Sequence, residues 1–600
     1  MALAVLALTL SACDSREPAD AQSAAAIPAP SVPGSSAEAD AKLDAWFAAR
    51  YQEELDFSPI QRTMMGDKKD YDRIDDGSEA AEDAQLAWRA GTVRELQATF
   101  DPARLGPEAR SSREVWIYQA EREAAEAKYR RNRYVFTQMQ GLQGYLPTFL
   151  INSHRVDEPA DMEAWIARVG GIARLIDQSI ERARLNAEGG VRPPRFAYEG
   201  VITEAKAVVR GAPFAGEGDS ALFADAKSEI TALEKAGKID AARAEALRSA
   251  VGQALQEQLR PAYDRLIAFA ESELPLASPQ AQGVHSLPDG AGYYATRLET
   301  STTTRMSAEE IHRFGLSEVR RLHAGMEAVR ERIGFKGSLQ ELFRHMREDD
   351  AFFFPDSDAG REAYLQTARD NLAFIDERLP QYFGLLPKAP LEVRRVEAFR
   401  EQPGAAQHYM PGTPDGSRAG IYYTHLADMR SMPKHQIEVI AYHEGNPGHH
   451  MQISIAQELT GIPTFRTQAG FTAYSEGWGL YAELLAKEMG AYQDPYSEMG
   501  RLSNELWRAI RLVVDTGIHA KGWGEEQAVE YFTANSPSAA GAIRSEVRRY
   551  IVWPGQATAY KIGMQKILDL RESARAELGE AFDIRAFHDT VLGGGALPLA

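Results

Sequence analysis

The spacing of apolar residues constrains the fold more than any other feature of this sequence. From Leu43 to the end of the chain, apolar residues recur every three or four positions, and strand-like alternation is rare. That spacing buries one face of a helix. In the first half it predicts helices at 85–100, 114–138, 162–186, 204–208, 221–269 and 307–333. Ser307 and Glu310 form a capping-box pattern at the start of the last of these, and no repeat of fixed period suggests a solenoid.

One segment of the chain breaks this helical pattern. Residues 391–396 and 420–424 are rich in β-branched and aromatic side chains and are bounded by turn signals, so they predict a small antiparallel sheet. Helical spacing returns at 435–444, 447–459, 473–490, 495–516, 525–535 and 539–551. We therefore predict a mostly α fold with an N-terminal helical half at 41–300, a C-terminal half at 301–600 that carries the sheet, and a central cleft between them.

Composition limits the partners of the chain. With 600 residues, 44% of them hydrophobic, it can bury a large core, which excludes a disordered chain. Lys and Arg number 67 against 86 Asp and Glu, a net charge of −19. The sequence therefore offers no basic surface for nucleic acid or for an anionic membrane.

The N-terminus carries a targeting pattern. The apolar run 1–13 ends in Leu-Ser-Ala-Cys at 10–13 and is shorter than the roughly 20 residues that span a bilayer. It resembles a bacterial lipoprotein signal peptide, in which Cys13 receives the lipid; the alternative is a disordered apolar tail. Residues 14–40, rich in Ala, Pro and Ser, predict a disordered tether. We expect a periplasmic protein of a bacterial envelope that contacts membrane only through its anchor, and Asp14 resembles an inner-membrane retention signal.

The densest cluster of potential metal ligands lies at 443–450. His443, Glu444, His449 and His450 place three imidazoles and a carboxylate within eight residues. Zinc binds imidazole nitrogen, and a neighbouring Glu can take a proton from water in catalytic zinc sites. The usual His-Glu-x-x-His helix spaces its histidines by four, but here Pro447 stands at that position.

The segment 446–448, Asn-Pro-Gly, is expected to break the helix and so bring a second imidazole, from His449 or His450, next to His443. The alternative is a group of polar residues at a helix junction. A third ligand is expected from the following helix. Glu476 is flanked by the small residues 475, 477 and 479, which allow close helix packing. Glu483 falls on nearly the same helix face, where it could orient a ligand or be a solvated charge.

Three stretches of the chain resemble known signatures. They are 443–452 (HEGNPGHHMQ), 474–483 (YSEGWGLYAE) and 549–561 (RYIVWPGQATAYK). In this order they are similar to the bacterial "domain of unknown function 885" family, and the resemblance covers essentially everything after the tether. The family is placed among zincin-like metallopeptidases. The resemblance therefore implies a large helical fold like that of the thimet-oligopeptidase and thermostable-carboxypeptidase families.

The resemblance also implies roles for individual residues. It makes His443 and either His449 or His450 ligands of one metal ion, expected to be Zn²⁺, with Glu476 as the third ligand and Glu444 as the general base. His449 is preferred because it follows the helix break directly. His450 and Glu483 are then ligand-orienting residues or alternative ligands.

Further residues are candidates for contact with substrate. Tyr560 and Tyr550 could stabilise the developing oxyanion, and Arg549 could hold a substrate carboxylate; a Trp-Pro-Gly packing turn is the alternative. The strand at 420–424, with Tyr422 and Tyr423, could pair with an extended peptide if it is an exposed edge, or it could be an internal hairpin.

These patterns together predict a metallopeptidase that cleaves short peptides in the cell envelope. One alternative is a non-catalytic lipoprotein that binds peptides or cell-wall fragments on a zincin scaffold. The presence of Glu444 beside His443 argues against it, since a binding protein has no need of a general base. A metal-dependent amidase that acts on a non-peptide amide would use the same ligands.

Overall fold

The computed structural model describes residues 36–139, 141–396, 401, 407–413, 419–538 and 540–599. The predicted signal peptide, its Cys13 and tether residues 14–35 lie outside the described residues. The first helix begins at Ser36, so residues 36–40, which the sequence assigned to the tether, are helical.

The first half of the described chain consists of helices and one short ribbon. The helices are α1 (Ser36–Leu55), α2 (Pro59–Met64), α3 (Glu79–Thr99), α4 (Pro107–Ala127), α5 (Leu142–Ser153), α6 (Pro159–Glu188), α7 (Arg195–Val208), α8 (Ala221–Lys235), α9 (Ala241–Ala254), α10 (Arg260–Glu273) and α11 (Gly290–Thr302). The ribbon, which the sequence did not predict, joins β1 (Arg210–Ala212) to β2 (Ala215–Asp219). The predicted boundary between the halves at residue 300 falls inside α11.

Two of the predicted helices in this half are too long. The helix predicted at 114–138 ends at Ala127, after which Tyr129 packs into a separate apolar cluster with Tyr293 and Leu298. The helix predicted at 221–269 is interrupted after Lys235, where Gly237 has a φ of 70° that a helix does not allow.

The second half contains longer helices around one small sheet. Its helices are α12 (Ala308–Ile333), α13 (Leu339–Glu348), α14 (Asp358–Asp376), α15 (Leu379–Tyr382), α16 (Ile437–Glu444), α17 (His449–Glu458), α18 (Thr464–Thr467), α19 (Thr472–Glu488), α20 (Pro495–Lys521), α21 (Glu525–Asn535), α22 (Ala540–Val552), α23 (Ala559–Leu578) and α24 (Ile584–Gly593). The capping box predicted at Ser307 and Glu310 is confirmed, and it starts α12.

The sheet of the second half is mixed. Its strands are β3 (Leu391–Arg395), β4 (His408–Met410) and β5 (Gly420–Thr424), in the order β3-β5-β4. The two predicted strands, β3 and β5, pair in parallel, and only β4 is antiparallel to β5. The prediction of an antiparallel sheet is therefore wrong for this pair, because β4 lies between the two in sequence and provides the antiparallel neighbour on the other side of β5.

Close helix packing holds the second half together. Gly477 of α19 lies against Gly563 of α23, so that a Cβ on Gly477 would come within 2.5 Å of the Gly563 Cα. Gly315 of α12 similarly faces α20, where a Cβ would meet the Leu512 Cβ at 2.7 Å. These contacts place α19 next to α23 and α12 next to α20.

Helix α20 carries an internal stripe of charged residues. We define the α20 charged stripe as Glu498, Arg501, Glu505, Arg508, Arg511 and Asp515. All of them except Arg508 are buried, and they pair with residues of neighbouring helices, as in the contact of Glu505 with Lys561 of α23. Across the described ranges, no helix is long and apolar enough to cross a membrane.

Candidate metal centre

A break between α16 and α17 shapes the centre. α16 ends at Glu444, α17 begins at His449, and the four residues between them are not helical. Gly448 approaches the α16 backbone so closely that a Cβ there would lie 2.0 Å from the His443 carbonyl oxygen. The Trp478 indole of α19 donates a hydrogen bond of 2.8 Å to the Pro447 carbonyl. The break brings the rings of His443 and His449 to a centroid distance of 4.7 Å.

Three potential ligands converge at this break. One donor atom each of His443, His449 and Glu476 lies within 4.8 Å of the other two. The Glu476 Oε2 atom is 3.7 Å from the His443 Nε2 and 3.5 Å from the His449 Nε2. Zinc ligands at about 2.1 Å in a tetrahedron lie roughly 3.4 Å apart. Two imidazoles and one carboxylate at these separations fit a catalytic zinc ion, with one coordination position left over.

A buried carboxylate fixes the orientation of His443. The His443 Nδ1 atom lies 2.7 Å from the Glu483 Oε1 atom. Because a carboxylate only accepts hydrogen bonds, Nδ1 carries the proton and the Nε2 lone pair faces the other ligands. Asn504 of α20 donates a second hydrogen bond, 2.6 Å long, to the same Glu483 oxygen. Glu483 therefore occupies the ligand-orienting position that the sequence suggested as one of its two roles.

The electrostatics of the site favour a cation. Burial disfavours the charged form of His443, but the carboxylates of Glu476 and Glu483 raise its pKa, so a positive charge at its Nε2, whether a proton or a metal ion, is stabilised. Burial would raise the pKa of Glu476, but the imidazoles of His443 and His449 hold it well below its usual range. Both shifts show that carboxylates surround the imidazoles and stabilise positive charge between them.

His450 faces away from the three ligands. Its Nε2 atom donates to the Ala389 carbonyl at 3.1 Å, and its Nδ1 atom lies 3.0 Å from the Tyr409 hydroxyl, which donates to it. Burial lowers the pKa of His450 to about 4, so the ring is neutral. With both nitrogens engaged, His450 supports the contact between α17 and the sheet, and His449 is the histidine that joins the group of His443 and Glu476.

Glu444 is the carboxylate next to His443 in sequence and is 8% exposed. Its oxygens are not part of the three-residue group formed by His443, His449 and Glu476. The Glu444 charge contributes to the raised pKa of His443, so the carboxylate acts on that imidazole without being part of the three-residue group.

The residues predicted to contact substrate on α22 and α23 lie in one polar cluster. The Tyr560 ring has the Arg511 and Arg508 guanidinium carbons 4.6 and 5.6 Å from its centroid. The Tyr550 hydroxyl accepts a 3.0 Å hydrogen bond from the Arg511 Nε. Arg549 donates to Gln556 at 2.8 Å and lies 3.4 Å from Glu546. Tyr550 is 1% exposed, so its hydroxyl serves an internal contact.

Of the two alternatives for Gly420–Thr424, an exposed edge or an internal strand pair, the structure excludes the exposed edge. β5 is the central strand of its sheet and is buried throughout. The Tyr422 hydroxyl donates to the Gln407 side chain, and burial raises the pKa of Tyr422 well above its usual range. Tyr423 is 5% exposed and packs with Val396 and Ile421. Neither tyrosine is on an edge that could pair with a peptide, because β3 and β4 cover both sides of β5.

The sequence analysis missed the polar residues that α20 contributes. Asn504 connects Glu483 to Arg508, whose Nη1 atom donates to the Asn504 side chain. Arg511 contacts both Tyr550 and Tyr560. The signal that could have revealed them is a run of polar residues every three or four positions inside an otherwise apolar helix.

Comparison with known proteins places this fold and site in a family. The profile of the family described as "Bacterial protein of unknown function (DUF885)" matches residues 59–600. The chain belongs to the DUF885 family. None of the curated proteins matches this DUF885 chain.

Two solved structures resemble this DUF885 chain over almost its full length. One, from Colwellia psychrerythraea, is named a "putative lipoprotein"; it is 28% identical, with a TM-score of 0.86 over 94% of this chain and 97% of that one. The other, from Shewanella oneidensis, is named a "putative lipoprotein of unknown function"; it is 18% identical, with a TM-score of 0.68 over 93% and 98% of the two chains. The second likeness concerns the fold alone.

Proposed function

We propose that this DUF885 protein is a zinc-dependent hydrolase that cleaves peptide bonds of short peptides. The observation that carries the proposal is the convergence of the His443, His449 and Glu476 donor atoms within 4.8 Å of one another. The Glu483 contact with the His443 Nδ1 supports it, because residues that bind catalytic zinc are held in this way by an outer carboxylate. A zincin-like relationship, with an interrupted form of the His-Glu-x-x-His helix, belongs to the same proposal.

The residues around the centre have separate tasks in this reaction. A bound zinc ion supplies Lewis-acid chemistry, polarising a carbonyl and making water a better nucleophile. Glu444 takes the proton of the attacking water and returns it to the leaving amine. Tyr560, between Arg508 and Arg511, is the candidate donor to the oxyanion, since two cations beside its ring favour hydrogen-bond donation to negative charge.

Metal analysis joined to a peptide digest tests this function. Protein prepared without chelator should hold one zinc ion and cleave members of a library of short peptides. Glu444→Gln should keep the zinc and lose at least about a hundredfold in kcat/KM, as expected when a general base is removed. His449→Ala should lose the zinc, while His450→Ala is the matched control and should keep it.

Other results would point to the other functions. A metal-free protein that binds peptides without cleaving them would make it a binding lipoprotein. If the protein holds zinc and cleaves a non-peptide amide but no peptide, it is an amidase. A greater loss of zinc in His450→Ala than in His449→Ala would overturn the ligand assignment.

The proposal also includes the location of the enzyme. The tetrapeptide at 10–13 has the lipobox pattern, and the similar structure from Colwellia psychrerythraea is named a "putative lipoprotein". We infer that Cys13 is lipidated and that the catalytic body is attached to a membrane of the bacterial envelope on its periplasmic side. Asp14 favours the inner membrane.

A further inference from the structure

Three arginines form a cluster with too few carboxylates to neutralise them. We define the arginine cluster as Arg508 and Arg511 of α20 and Arg549 of α22. Among the described residues, Glu546 is the one carboxylate that forms an ion pair with any of them; it pairs with Arg511 at 2.8 Å and with Arg549 at 3.4 Å. Arg508 bonds instead to the uncharged side chain of Asn504. Two positive charges of the cluster therefore have no counter-charge among the described ion pairs.

Several donors of the cluster also lack an acceptor. Among the described residues, the buried atoms Arg508 Nε, Arg511 Nη1 and Arg549 Nε have no hydrogen-bond partner. Arg511 is 5% exposed, and an unpaired guanidinium N–H in such a place costs free energy unless an acceptor arrives. Burial would raise the pKa of Glu546, but Arg511 and Arg549 lower it to about 2, so this carboxylate is already fully ionised and can neutralise no more.

Two series of contacts connect the arginine cluster to the proposed metal ligands. In the first, Arg508 bonds to Asn504, Asn504 to Glu483, and Glu483 to His443. In the second, Arg508 and Arg511 flank the Tyr560 ring, and Tyr560 is one helical turn from Gly563, which contacts the residue after Glu476. Arg508 and Arg549 are partly exposed, so a ligand from solvent can reach the cluster.

We propose that the arginine cluster binds the C-terminal carboxylate of the peptide, which makes the protein a carboxypeptidase. This inference rests on the proposed function. Planar guanidinium groups bind carboxylates through paired hydrogen bonds, and three of them repel an N-terminal ammonium. We assign this carboxylate to the residue just after the scissile bond, which spans about 3.5 Å when extended.

The reaction is then release of one amino acid. The oxygen of water bonds to the carbonyl carbon of the scissile peptide, and the C–N bond breaks. One water proton passes through Glu444 to the departing amine, whose own α-carboxylate stays paired with the arginines until it dissociates. No oxidant, reductant or second substrate is needed.

Three matched peptides test this assignment. The first two share one sequence and end in a free carboxylate or in an amide. The third has the same sequence except that its last residue is Asp, and it ends in an amide. We expect the zinc-loaded enzyme to cleave the free acid at least a hundredfold better in kcat/KM than either amide and to release single residues from the C-terminus. Equal cleavage of acid and amide would overturn the inference, and preference for the Asp amide would assign the cluster to an acidic side chain instead.

Substitutions connect the preference to the cluster. Arg508→Gln and Arg549→Gln should each raise KM for the free acid at least tenfold, lower the ratio of acid to amide cleavage and keep the zinc. Arg571→Gln is the matched control, because Arg571 is a buried arginine that has its own carboxylate partner, Glu488, at 2.7 Å. It should keep the ratio of acid to amide cleavage, and loss of that ratio in the control alone would overturn the assignment.

A binding measurement separates this inference from the proposed function. Calorimetric titration of zinc-loaded Glu444→Gln with the free acid and the amide reports carboxylate recognition without turnover. We expect the acid to bind at least tenfold more tightly than the amide, and we expect the double variant Glu444→Gln, Arg508→Gln to lose this difference. That result supports carboxylate binding by the arginine cluster even if the wild type cleaves no peptide. Equal binding of acid and amide overturns it whether or not peptides are cleaved.

Discussion

Gly479 of α19 faces the imidazole of His443 and lies one helical turn after Glu476. A Cβ at Gly479 would come within 2.8 Å of the His443 Cε1 and 3.0 Å of its Nε2. The ring has no free direction to move, because Glu483 holds its other nitrogen. A single hydrogen atom as side chain is thus what lets the ligand helix and the carboxylate helix approach each other.

We predict that Gly479→Ala weakens zinc binding about tenfold to a hundredfold, the range seen when ligand orientation is disturbed. Chelator competition measures the affinity. Gly541→Ala is the control, because a Cβ at Gly541 on α22 meets no atom within 4 Å. Equal affinity in the two variants would mean that the His443 ring tolerates a shift without loss of coordination.

At the scale of elements, α20 has the largest number of buried charges. Glu505 of the α20 charged stripe contacts Lys561 at 2.6 Å and also pairs with Arg321 of α12 and Arg501 of its own helix. Burial alone would raise the pKa of Glu505, but Lys561, Arg321 and Arg501 lower it to about 2. The stripe therefore ties α12, α20 and α23 together through charge.

This shift gives the protein a pH dependence with a defined sign. A depressed carboxyl pKa contributes stability above the unfolded pKa of about 4.3, and that stability is lost as the pH falls toward 2. Glu505→Gln should lower the free energy of unfolding by about 3–5 kcal/mol near neutral pH, because it leaves buried cations unpaired. Part of the acid-induced loss of stability should also disappear.

Urea unfolding near neutral pH and in acid measures both effects of Glu505→Gln. Glu572→Gln removes an exposed pair with Arg575 on α23 and should change the stability by less than about 1 kcal/mol at either pH. If the two variants behaved alike, the buried stripe would contribute no more than a surface ion pair.

The elements also show which features of the protein can be read from sequence. Helices follow from apolar spacing, which acts over a few residues, so α12 and α21 occur where the spacing predicts them. The direction of strand pairing between β3 and β5 depends on β4 and on chain connections that local composition does not encode.

The candidate site likewise has features that the sequence predicts and features that it does not. His443, His449 and Glu476 were proposed from residue type and spacing, and the structure brings them together. The choice of His449 over His450 needed the three-dimensional partners of each nitrogen. Asn504, Arg508 and Arg511 of α20 escaped notice because polar and charged residues every three or four positions usually mark the solvent face of a helix.

At the scale of the whole molecule, the N-terminal helix is part of the C-terminal half's packing. Leu43 and Phe47 of α1 are fully buried, and the Phe47 ring lies 4.8 Å from the ring of Phe465 in α18. The same apolar cluster includes Phe471 and Tyr474, which lead into α19. α1 lies before residue 59, where the family match begins, yet it packs beside the helix that carries Glu476.

Deletion of residues 1–35 should therefore leave the melting temperature unchanged, whereas deletion of residues 1–58 should lower it by several degrees. Each of Leu43 and Phe47 contributes about 1.5–3 kcal/mol by burial, and their loss also exposes the surface of α18. Thermal unfolding followed by circular dichroism compares the two. An unchanged melting temperature after the longer deletion would show that α1 is dispensable for the body of the protein.

The proposed anchor predicts where the intact protein is found in a cell. Cys13→Ser should move the protein from the membrane fraction to the soluble fraction. The lipid chain would stabilise membrane attachment by about 0.8 kcal/mol for each CH₂ group buried in the bilayer. Fractionation with antibody detection measures the distribution. Asp14→Ser keeps the cysteine and is the control, which should stay with membranes. A Cys13→Ser protein that sediments with membranes as the parent does would exclude lipidation as the means of attachment.

The contact of Gly477 with Gly563 has a consequence for motion around the centre. Where two backbones touch, there is no side chain between them whose rotamer could change and let the helices slide. The Glu476 carboxylate on α19 and the Tyr560 phenol on α23 therefore keep their separation during thermal fluctuation.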